Sequence, residues 1–400
     1  MTTKLRAASF QDNAVTAAKI AADAVTNAKI ADDAVQTENI ASTVNLGRRN
    51  VIINGGFMIS QRNAAALTAT ANNTYFLDRW KLYLNGSCAV STQQMLSLDS
   101  NVTALNTATG ETFNNVLSID CTTAASLGST DLLGIIQMIE GSTSLPLAGQ
   151  TCTLSFHVKT NVTGQYYVAF KMSGSSERTY LAPYTVSSAD TWEKKTITFT
   201  MDTATNLNNT ASVTTGSGLQ VYFGLRLGTS GQMSNTLNAW HAGNYYGKSD
   251  QVTWGTSTSD TFYISGIQLE KSSQATPFEH RSFAEELALC QRYFFQINGT
   301  GVDYATMGSG QMYGTTTYLG EFKLPVAMRV TPSFSLNNSL STTNFMVVTS
   351  GYVRAISSVT VTGDNQYLRL NCAVTTSGTQ GHGAYIQLQS GYNALWSAEL

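Results

Sequence analysis

The residues that could support catalysis or bind a metal are scattered along the chain. None of the four histidines has a Cys or carboxylate neighbour at metal-ligand spacing, and they are His157, His241, His280 and His382. Hydrolysis of a polysaccharide needs two carboxylates a few ångströms apart. The carboxylates in or next to predicted strands are Asp78, Asp120, Glu140 and Glu270. Because Arg79 follows Asp78, we interpret that pair as a structural salt bridge, and we expect no catalytic residue, no metal and no cofactor.

Exposed aromatic rings are the other residues that could take part in chemistry, by binding sugars. A sugar lays its C–H face on such a ring, while Asn, Asp or Gln side chains bond its hydroxyls. Residues 228–260 form a segment too long and too aromatic for an ordinary loop. The candidate rings there and nearer the C-terminus are Trp240, Tyr245, Tyr246, Trp254, Tyr304, Tyr313, Tyr392 and Trp396. The alternative for each ring is a place in the core or in a subunit interface.

Composition limits the kind of protein that carries these residues. The chain has 400 residues and is 42% hydrophobic but only 12% charged, which fits many short strands joined by polar turns. A net charge of −2 without a basic run argues against a nucleic-acid partner. We expect no membrane insertion and no secretory signal, and therefore synthesis in a cytoplasm. The five cysteines are odd in number and widely spaced, so we expect free thiols.

Residues 14–43 repeat a ten-residue unit three times, as AVTAAKIAAD, AVTNAKIADD and AVQTENIAST. The aligned apolar positions are Val15, Ile20, Val25, Ile30, Val35 and Ile40. A spacing of five residues gives neither a strand face nor a helix stripe, and so few apolar residues cannot form a core within one chain. We therefore predict that residues 1–45 form a stalk that buries these positions against other copies of the chain, as a parallel homotrimer. The alternative is a disordered Ala-rich leader.

Alternation of apolar and polar residues dominates residues 46–280. In the longest run the apolar residues on one strand face are Leu219, Val221, Phe223, Leu225 and Leu227. Roughly eight or nine such strands, separated by Gly, Ser and Asn turns, predict an antiparallel, jelly-roll-like β-sandwich.

One segment has the pattern of a helix. Ser282 and Glu285 form a capping box, which predicts a helix over 282–296 within a linking segment 281–297. Its predicted apolar stripe consists of Phe283, Leu287, Cys290 and Phe294. The strand pattern then returns, and residues 298–400 predict a small C-terminal β-sandwich that forms the tip of a mainly β protein.

Several of these segments together resemble a module of bacteriophage tail fibres. They are NVIINGGFMISQRN (50–63), YFLDRW (75–80), QMIEGSTSLPLAGQTCTLSFHVKT (137–160), LNAWHAGNYY (237–246) and TFYISGIQLEKSSQATPFEHRSFAEELALCQRYF (261–294). The AVTxAKIAD repeat is likewise similar to repeats near the start of fibre proteins. The resemblance covers most of residues 14–296, while residues 298–400 match less distinctly. It implies a trimeric virion fibre, attached through residues 1–45 to a tail or adaptor protein, made in the host cytoplasm and released by lysis.

Two functions remain open at this point. The favoured one is host attachment, in which the distal β-domains bind a bacterial surface glycan or an outer-membrane protein. The alternative is a purely structural virion fibre or connector that holds another virion protein, and a polysaccharide depolymerase is the least favoured reading. The aromatic segment 228–260 belongs to the shared module, so packing within the trimer is the other role open to it.

Overall fold

The computed structural model describes residues 48–62, 67–69, 72–172, 177–204, 216–230, 232–298, 304–337, 345–350 and 352–400. The predictions for residues 1–45 lie outside the described residues. They concern the stalk, its contact to a tail or adaptor protein, and the trimer positions Val15, Ile20, Val25, Ile30, Val35 and Ile40.

The first part of the chain forms a sandwich of two antiparallel sheets. Sheet I has six strands in the order β1-β4-β5-β13-β7-β10, and sheet II has seven in the order β12-β9-β8-β11-β6-β3-β2. The strands are β1 (Leu67–Ala69), β2 (Thr74–Leu77), β3 (Trp80–Asn85), β4 (Ala89–Met95), β5 (Val116–Thr123), β6 (Leu132–Glu140), β7 (Thr151–Thr160), β8 (Gly164–Met172), β9 (Arg178–Val186), β10 (Glu193–Thr200), β11 (Ser217–Leu227), β12 (Trp240–Ala242) and β13 (Thr261–Glu270).

The core between the sheets is built from the alternating apolar residues. Every second residue of β11 from Leu219 to Leu225 is fully buried there, as the sequence predicts. Aromatic rings from both sheets meet in the middle, where Phe156 on β7 packs edge-on against Phe223 on β11 with 5.1 Å between ring centroids. The mainly β, antiparallel class is therefore confirmed.

The outer face of sheet II is also covered. A second apolar cluster lies on it and consists of Leu132, Ile136, Ala169, Leu181, Tyr222, Leu227 and Tyr246, with Tyr83, Met233, Leu237 and Tyr245 packed against it. Tyr246 and its neighbours belong to the segment 232–260, which crosses over the strands. Because both faces of β11 are covered, nearly all of its residues are buried.

Three short helices accompany the strands among the described residues, and the sequence predicts only the last. Helix α1 (Ser100–Thr109) begins at the cap residue Asp99 and ends at Gly110, whose φ is 71°. Helix α2 (Gly141–Ser144) precedes a 3₁₀ turn, Leu145–Leu147. Helix α3 is Phe283–Gln291. In the part of the chain that is described, no helix combines the length and apolar character that crossing a membrane requires.

Helix α3 confirms the predicted start but not the predicted stripe. The Ser282 hydroxyl accepts a 3.4 Å hydrogen bond from the Glu285 N–H, as in a capping box. Phe283 is 59% exposed, so the apolar stripe is wrong there, and the residues turned inward are Glu286 and Cys290. The helix ends at Gln291, before Phe294, which starts a strand. Glu286 faces inward because its carboxylate accepts hydrogen bonds from the Asn54 N–H and from Arg281.

The C-terminal part is a closed barrel and a small sheet, where the sequence predicts a two-sheet sandwich. The barrel order is β15-β16-β20-β19-β18-β21, and the small sheet is β14-β22-β17. β18 pairs with both β19 and β21, and β15 with both β16 and β21, so the sheet closes on itself and leaves no edge. The strands are β14 (Phe294–Asn298), β15 (Tyr304–Met312), β16 (Thr317–Lys323), β17 (Ser333–Leu336), β18 (Phe345–Thr349), β19 (Tyr352–Gly363), β20 (Tyr367–Val374), β21 (Gly383–Gln389) and β22 (Asn393–Ser397).

Buried polar contacts join the sandwich to this C-terminal part, and residues 48–400 group as one unit. The Glu399 carboxylate pairs with Arg62 at 2.7 Å and with Arg79. The guanidinium of Arg292, just after α3, makes two 2.9 Å bonds to the Glu140 carboxylate at the end of β6. The linking segment is therefore part of the packed structure.

Candidate functional site

A cavity of about 240 Å³ opens on the outer face of sheet II, and we call it the sheet II cavity. Strands β3, β6, β8, β9 and β11 contribute to it, together with the segment 232–260. The residues that line it are Asn73, Lys81, Tyr83, Ile136, Met138, Lys171, Met172, Glu177, Arg178, Thr179, Gln220, Gly243, Asn244 and Tyr246.

Strand register sets these side chains in two adjacent rows. Gln220 on β11 lies opposite Lys171 on one side and Met138 on the other, and Lys171 lies opposite Thr179. These four residues form a mostly polar row. Two residues along each strand, the next row on the same face consists of Lys81, Ile136, Tyr222, Ala169 and Leu181. The floor of the cavity thus passes from polar to apolar.

Tyr83 and Tyr246 form the aromatic wall of the cavity, and Tyr222 packs against them from below. The rings of Tyr83 and Tyr246 stack with centroids 5.4 Å apart and an interplanar angle of 27°. Tyr222 meets Tyr246 edge-on, with 4.9 Å between centroids. Burial raises the pKa values of Tyr222 and Tyr246 far above the ordinary value, so both phenols stay neutral. Tyr83 is half-buried.

Two buried lysines line the cavity beside these rings. The Lys171 Nζ atom lies 3.6 Å from the centroid of the Tyr246 ring, and the side chain is only 6% exposed. Burial lowers the pKa of Lys171 to about 7, against a smaller raising effect of Glu177. Lys81 is 7% exposed, and burial lowers its pKa as well, opposed by Glu399.

The remaining charged groups at the cavity are already engaged. The Arg178 Nε atom donates a 2.5 Å bond to the Asp202 carboxylate. The Glu177 carboxylate accepts a 3.3 Å bond from the Asn244 side chain, which belongs to the segment 232–260. The cavity therefore presents an aromatic wall, neutral hydrogen-bonding groups and amino groups to a small ligand.

The four aromatic candidates in segment 228–260 lie in different environments. Tyr246 lines the cavity. Trp240 is half-buried on β12, where its Nε1 atom donates a 2.8 Å bond to the Thr200 carbonyl. Tyr245 stacks on His241 with 4.9 Å between ring centroids. The prediction that Trp254 binds a sugar is wrong, because its side chain is fully buried in the sandwich core and has no exposed ring face.

The four candidates in the C-terminal part are also separated. Tyr313 is 61% exposed, between β15 and β16. Tyr392 is half-buried against the barrel core, and Tyr304 is the first residue of β15. The prediction that Trp396 binds a sugar is also wrong, because its side chain is fully buried and stacks on Phe322 with 4.9 Å between ring centroids. Tyr313, Tyr392 and Trp396 are not among the residues that line the sheet II cavity.

The four predicted carboxylates take part in structural hydrogen bonds. Asp78 accepts two 2.6 Å bonds from Gln61, and Arg79 pairs with Glu399, so the expected Asp78–Arg79 salt bridge is wrong. Glu140 accepts a 2.9 Å hydrogen bond from the Arg292 Nε atom, and Asp120 accepts a 2.7 Å bond from the Ser118 hydroxyl. Glu270 accepts a 2.9 Å bond from the Thr276 N–H.

The described residues hold no cluster of three or more His, Cys, Asp or Glu side chains suited to a metal ion. All five cysteines are buried and free, as the sequence predicts. Burial lowers the pKa of His157 to about 4, so this imidazole is neutral near pH 7.

Sequence reasoning missed Tyr83, Lys81 and Lys171, although strand parity contained a signal for them. In YFLDRWKLYL the inward residues are Trp80, Leu82 and Leu84, so Lys81 and Tyr83 must point to the other face. Lys171 is placed outward in the same way, between Phe170 and Met172. Their burial could not be read from the strands, because it depends on distant residues. Tyr246 of the segment 232–260 packs against Tyr83 and Lys171, and Lys81 lies near the Tyr75 ring.

Comparisons with known proteins add a general likeness in shape. No protein-family model matches the chain, and no curated protein matches it. Among solved structures, a family 11 carbohydrate-binding module from Clostridium thermocellum, in complex with a β-1,3-1,4-mixed-linked tetrasaccharide, is similar at 12% identity and a TM-score of 0.26, over 53% of this chain and 100% of that one. The enzymatically active domain of tailspike protein 4 of bacteriophage CBA120 is similar at 11% identity and a TM-score of 0.27, over 55% of this chain and 21% of that one. The N-terminal cellulose-binding domain of β-1,4-glucanase C from Cellulomonas fimi is similar at 16% identity and a TM-score of 0.23, over 41% of this chain and 84% of that one. At these TM-scores the likeness carries no argument about function, and the description of the fold rests on the strand pairing of this chain.

Proposed function

We propose that this chain is a non-catalytic attachment protein of the bacteriophage tail-fibre type, and that it binds a bacterial surface glycan in the sheet II cavity. The proposal includes a homotrimer, attachment to the virion through residues 1–45 and release of the particles by lysis. Its support outside the cavity is the sequence resemblance of residues 14–296 to tail-fibre modules.

The observation that carries the proposal is the joint lining of the cavity by the Tyr83 ring and by neutral polar groups. Tyr246 is only 3% exposed and contacts Tyr83, Tyr222 and Lys171, whereas Tyr83 is half-buried, so Tyr83 is the lining ring with more surface to meet the C–H face of a sugar. The side chains of Asn73 and Asn244 line the same cavity and match the hydroxyls of a sugar. A volume of about 240 Å³ is below the roughly 300–1,000 Å³ of drug-sized sites, so the cavity suits one sugar unit or a chain end.

The absence of catalysis is part of the proposal and is supported by the use of the carboxylates. Asp78, Asp120, Glu140 and Glu270 each accept a structural hydrogen bond. Among the described residues, Glu177 is the one carboxylate that lines the cavity. Glycoside hydrolysis ordinarily requires two carboxyl groups about 5–10 Å apart across the scissile bond.

The test is an array of purified bacterial surface polysaccharides probed with the full-length protein. We expect binding to at least one polysaccharide, and we expect Tyr83→Leu to weaken it about tenfold, because Leu keeps the apolar volume but removes the ring. The matched control is Tyr313→Leu, which removes an exposed ring outside the cavity. A loss of binding with Tyr313→Leu alone would move the site to the barrel, and no binding to any polysaccharide or host cell would overturn the proposal.

Exposed apolar side chains favour a second candidate, a structural connector that holds another virion protein. Leu98 is 97% exposed, Leu96 is 61% exposed and Phe283 is 59% exposed. Leu96 and Phe283 line the same surface groove. The connector reading would be supported by a protein that binds no glycan but forms a stoichiometric complex with one purified virion protein, provided that Leu98→Ser disrupts that complex.

A further inference from the structure

The sheet II cavity contains two amino groups that are removed from water. Lys171 on β8 is 6% exposed and Lys81 on β3 is 7% exposed, and both line the cavity. A lysine is almost never buried to this extent unless an anion compensates its charge. Strand register places both residues on the outer face of sheet II, where the cavity lies.

No carboxylate of the described residues lies within 4.0 Å of either amino group. Among the other lining groups, Arg178 is paired with Asp202, and the Glu177 carboxylate accepts a hydrogen bond from the Asn244 side chain. Burial raises the pKa values of Tyr222 and Tyr246, so these two phenols add no negative charge. When Lys171 is protonated, the lining therefore carries the two lysines against the single carboxylate of Glu177, which leaves one positive charge unbalanced among the described residues.

We infer that the ligand of the sheet II cavity is an acidic glycan, in which a carboxylate or phosphate group on the sugar bonds the amino groups of Lys171 and Lys81. This inference rests on the proposed function and narrows it to a chemical class of sugar. The aromatic wall binds the ring of the sugar, while the two lysines select for its negative charge.

The contact of Lys171 with Tyr246 orients the lysine side chain before a ligand binds. A cation that lies 3.6 Å from a ring centroid is attracted by the negative face of the ring. This contact fixes the direction of the long side chain before a ligand arrives, so less side-chain entropy is lost on binding. A charged ligand oxygen then completes the hydrogen bonding of the ammonium.

The same arrangement couples binding to proton uptake. The charged and titratable groups that face Lys171 are Glu177, Arg178 with Asp202, Tyr246, Tyr83 and Lys81. Burial lowers the pKa of Lys171 to about 7, so this amine is largely neutral at about pH 8. A bound anion favours the charged form and raises the pKa, which draws in up to about one proton per chain.

The experiment compares native acidic polysaccharides with the same polymers after removal of the charge. Reduction of the carboxyl groups to alcohols gives a neutral match for uronic-acid polymers, and dephosphorylation with hydrofluoric acid gives one for phosphate-bearing polymers. We expect at least a tenfold weaker affinity after one of the two treatments, and the treatment that acts identifies the anionic group. Calorimetry at about pH 8 in buffers of different ionisation enthalpy should show proton uptake only with the acidic form.

Variants of the full-length protein complete the test. Lys171→Met keeps the length of the side chain and removes the charge, and we expect it to weaken binding of the acidic polymer about tenfold and to abolish the proton uptake. Lys81→Met should weaken binding without affecting the uptake. The matched control is Lys194→Met, an exposed lysine on β10 of the other sheet.

The outcomes separate this inference from the function on which it rests. Equal affinity for native and neutralised polymers, with Tyr83→Leu still harmful, would overturn the acidic class and leave the glycan site. Binding to no polysaccharide of either kind would overturn both. If Lys171→Met and Lys81→Met bind the acidic polymer with unchanged affinity, the two lysines do not bind its anionic group, and the inference is overturned.

Discussion

The backbone N–H of Asn54 donates a 2.5 Å hydrogen bond to the buried carboxylate of Glu286, and this bond ties the entrance of the sandwich to helix α3. The Asn54 side chain also bonds the Ile59 carbonyl at 2.8 Å and the Asp78 carbonyl at 3.0 Å. Trp80 completes the cluster, since its Nε1 atom donates to the Asn54 carbonyl at 2.9 Å. Three of the segments that resemble tail-fibre modules thus meet in one buried polar cluster. These motifs therefore stabilise the fold of the module.

Replacement of Asn54 by Ala should lower the free energy of unfolding by about 2–4 kcal/mol. The change removes three buried side-chain hydrogen bonds and places an Ala at a φ of 58°. Urea denaturation followed by tryptophan fluorescence measures the loss.

Asn238→Ala is the matched control for this variant, because Asn238 has a φ of 54° but is exposed. It should cost only the backbone penalty of about 1–2 kcal/mol. Equal losses in the two variants would show that the buried hydrogen bonds of Asn54 contribute nothing beyond backbone conformation.

Glu399→Gln should destabilise the protein by about 2–4 kcal/mol, since it leaves Arg79 buried without its anion. The Arg79 side chain is 1% exposed, and Glu399 also pairs with Arg62 at 2.7 Å. Differential scanning calorimetry of the full-length protein would show the change as a lower melting temperature.

The control for Glu399 is another ion pair of the same kind on the surface. Glu285 pairs with Arg48, and the two side chains are 40% and 55% exposed. Glu285→Gln should change stability by at most about 1 kcal/mol. A loss in this variant as large as that in Glu399→Gln would contradict the argument from burial.

The sheets of the sandwich were predictable from single residues, because the side chain of each strand residue alternates between two faces. Leu219, Val221 and Phe223 therefore point to the core as the sequence predicts. Helix α1 was missed since its only buried residues are Val102 and Leu105 among Thr, Asn and Ser, which gives no clear stripe. Closure of the barrel depends on the pairing of β15 with β21, and such distant pairing leaves no local signature.

The candidate site was predictable only in part for the same reason. The sequence placed Tyr246 among the candidate rings and gave the outward direction of Lys171. The contact between the two joins β8 to the segment 232–260, and it exists because that segment folds back over sheet II. Trp254 and Trp396 had equal claims as exposed rings, since aromatic type alone does not distinguish a core residue from a binding surface.

Stability should depend on pH through Lys171. Its pKa is about 7 in the folded protein, so the unfolded chain binds this proton more tightly between about pH 7 and pH 10.5. Across this window the free energy of unfolding rises with pH by at most about 1.4 kcal/mol per unit. We therefore expect Lys171→Met to exceed the wild type in stability most near neutral pH, with a difference that shrinks as the pH rises.

Melting temperatures of both proteins from about pH 6 to pH 10 measure this difference. Lys194→Met, which removes an exposed lysine, should differ from the wild type by the same small amount at every pH. A stability difference between Lys171→Met and the wild type that does not vary with pH would contradict a lowered pKa at Lys171.

The proposed trimer predicts a solution mass of three times 43.0 kDa for the full-length protein, measured by light scattering after gel filtration. The repeat has one Val and one Ile in each unit, so replacement of Ile20, Ile30 and Ile40 together by Ser should weaken the association if those positions are buried between chains. A protein that begins at Arg48 tests the other contribution, since residues 48–400 form a unit of their own. A trimer that persists there would place assembly in the β-domains and make the repeat chiefly an attachment to the virion. A monomeric full-length protein would exclude the trimeric fibre and leave a solitary glycan-binding module.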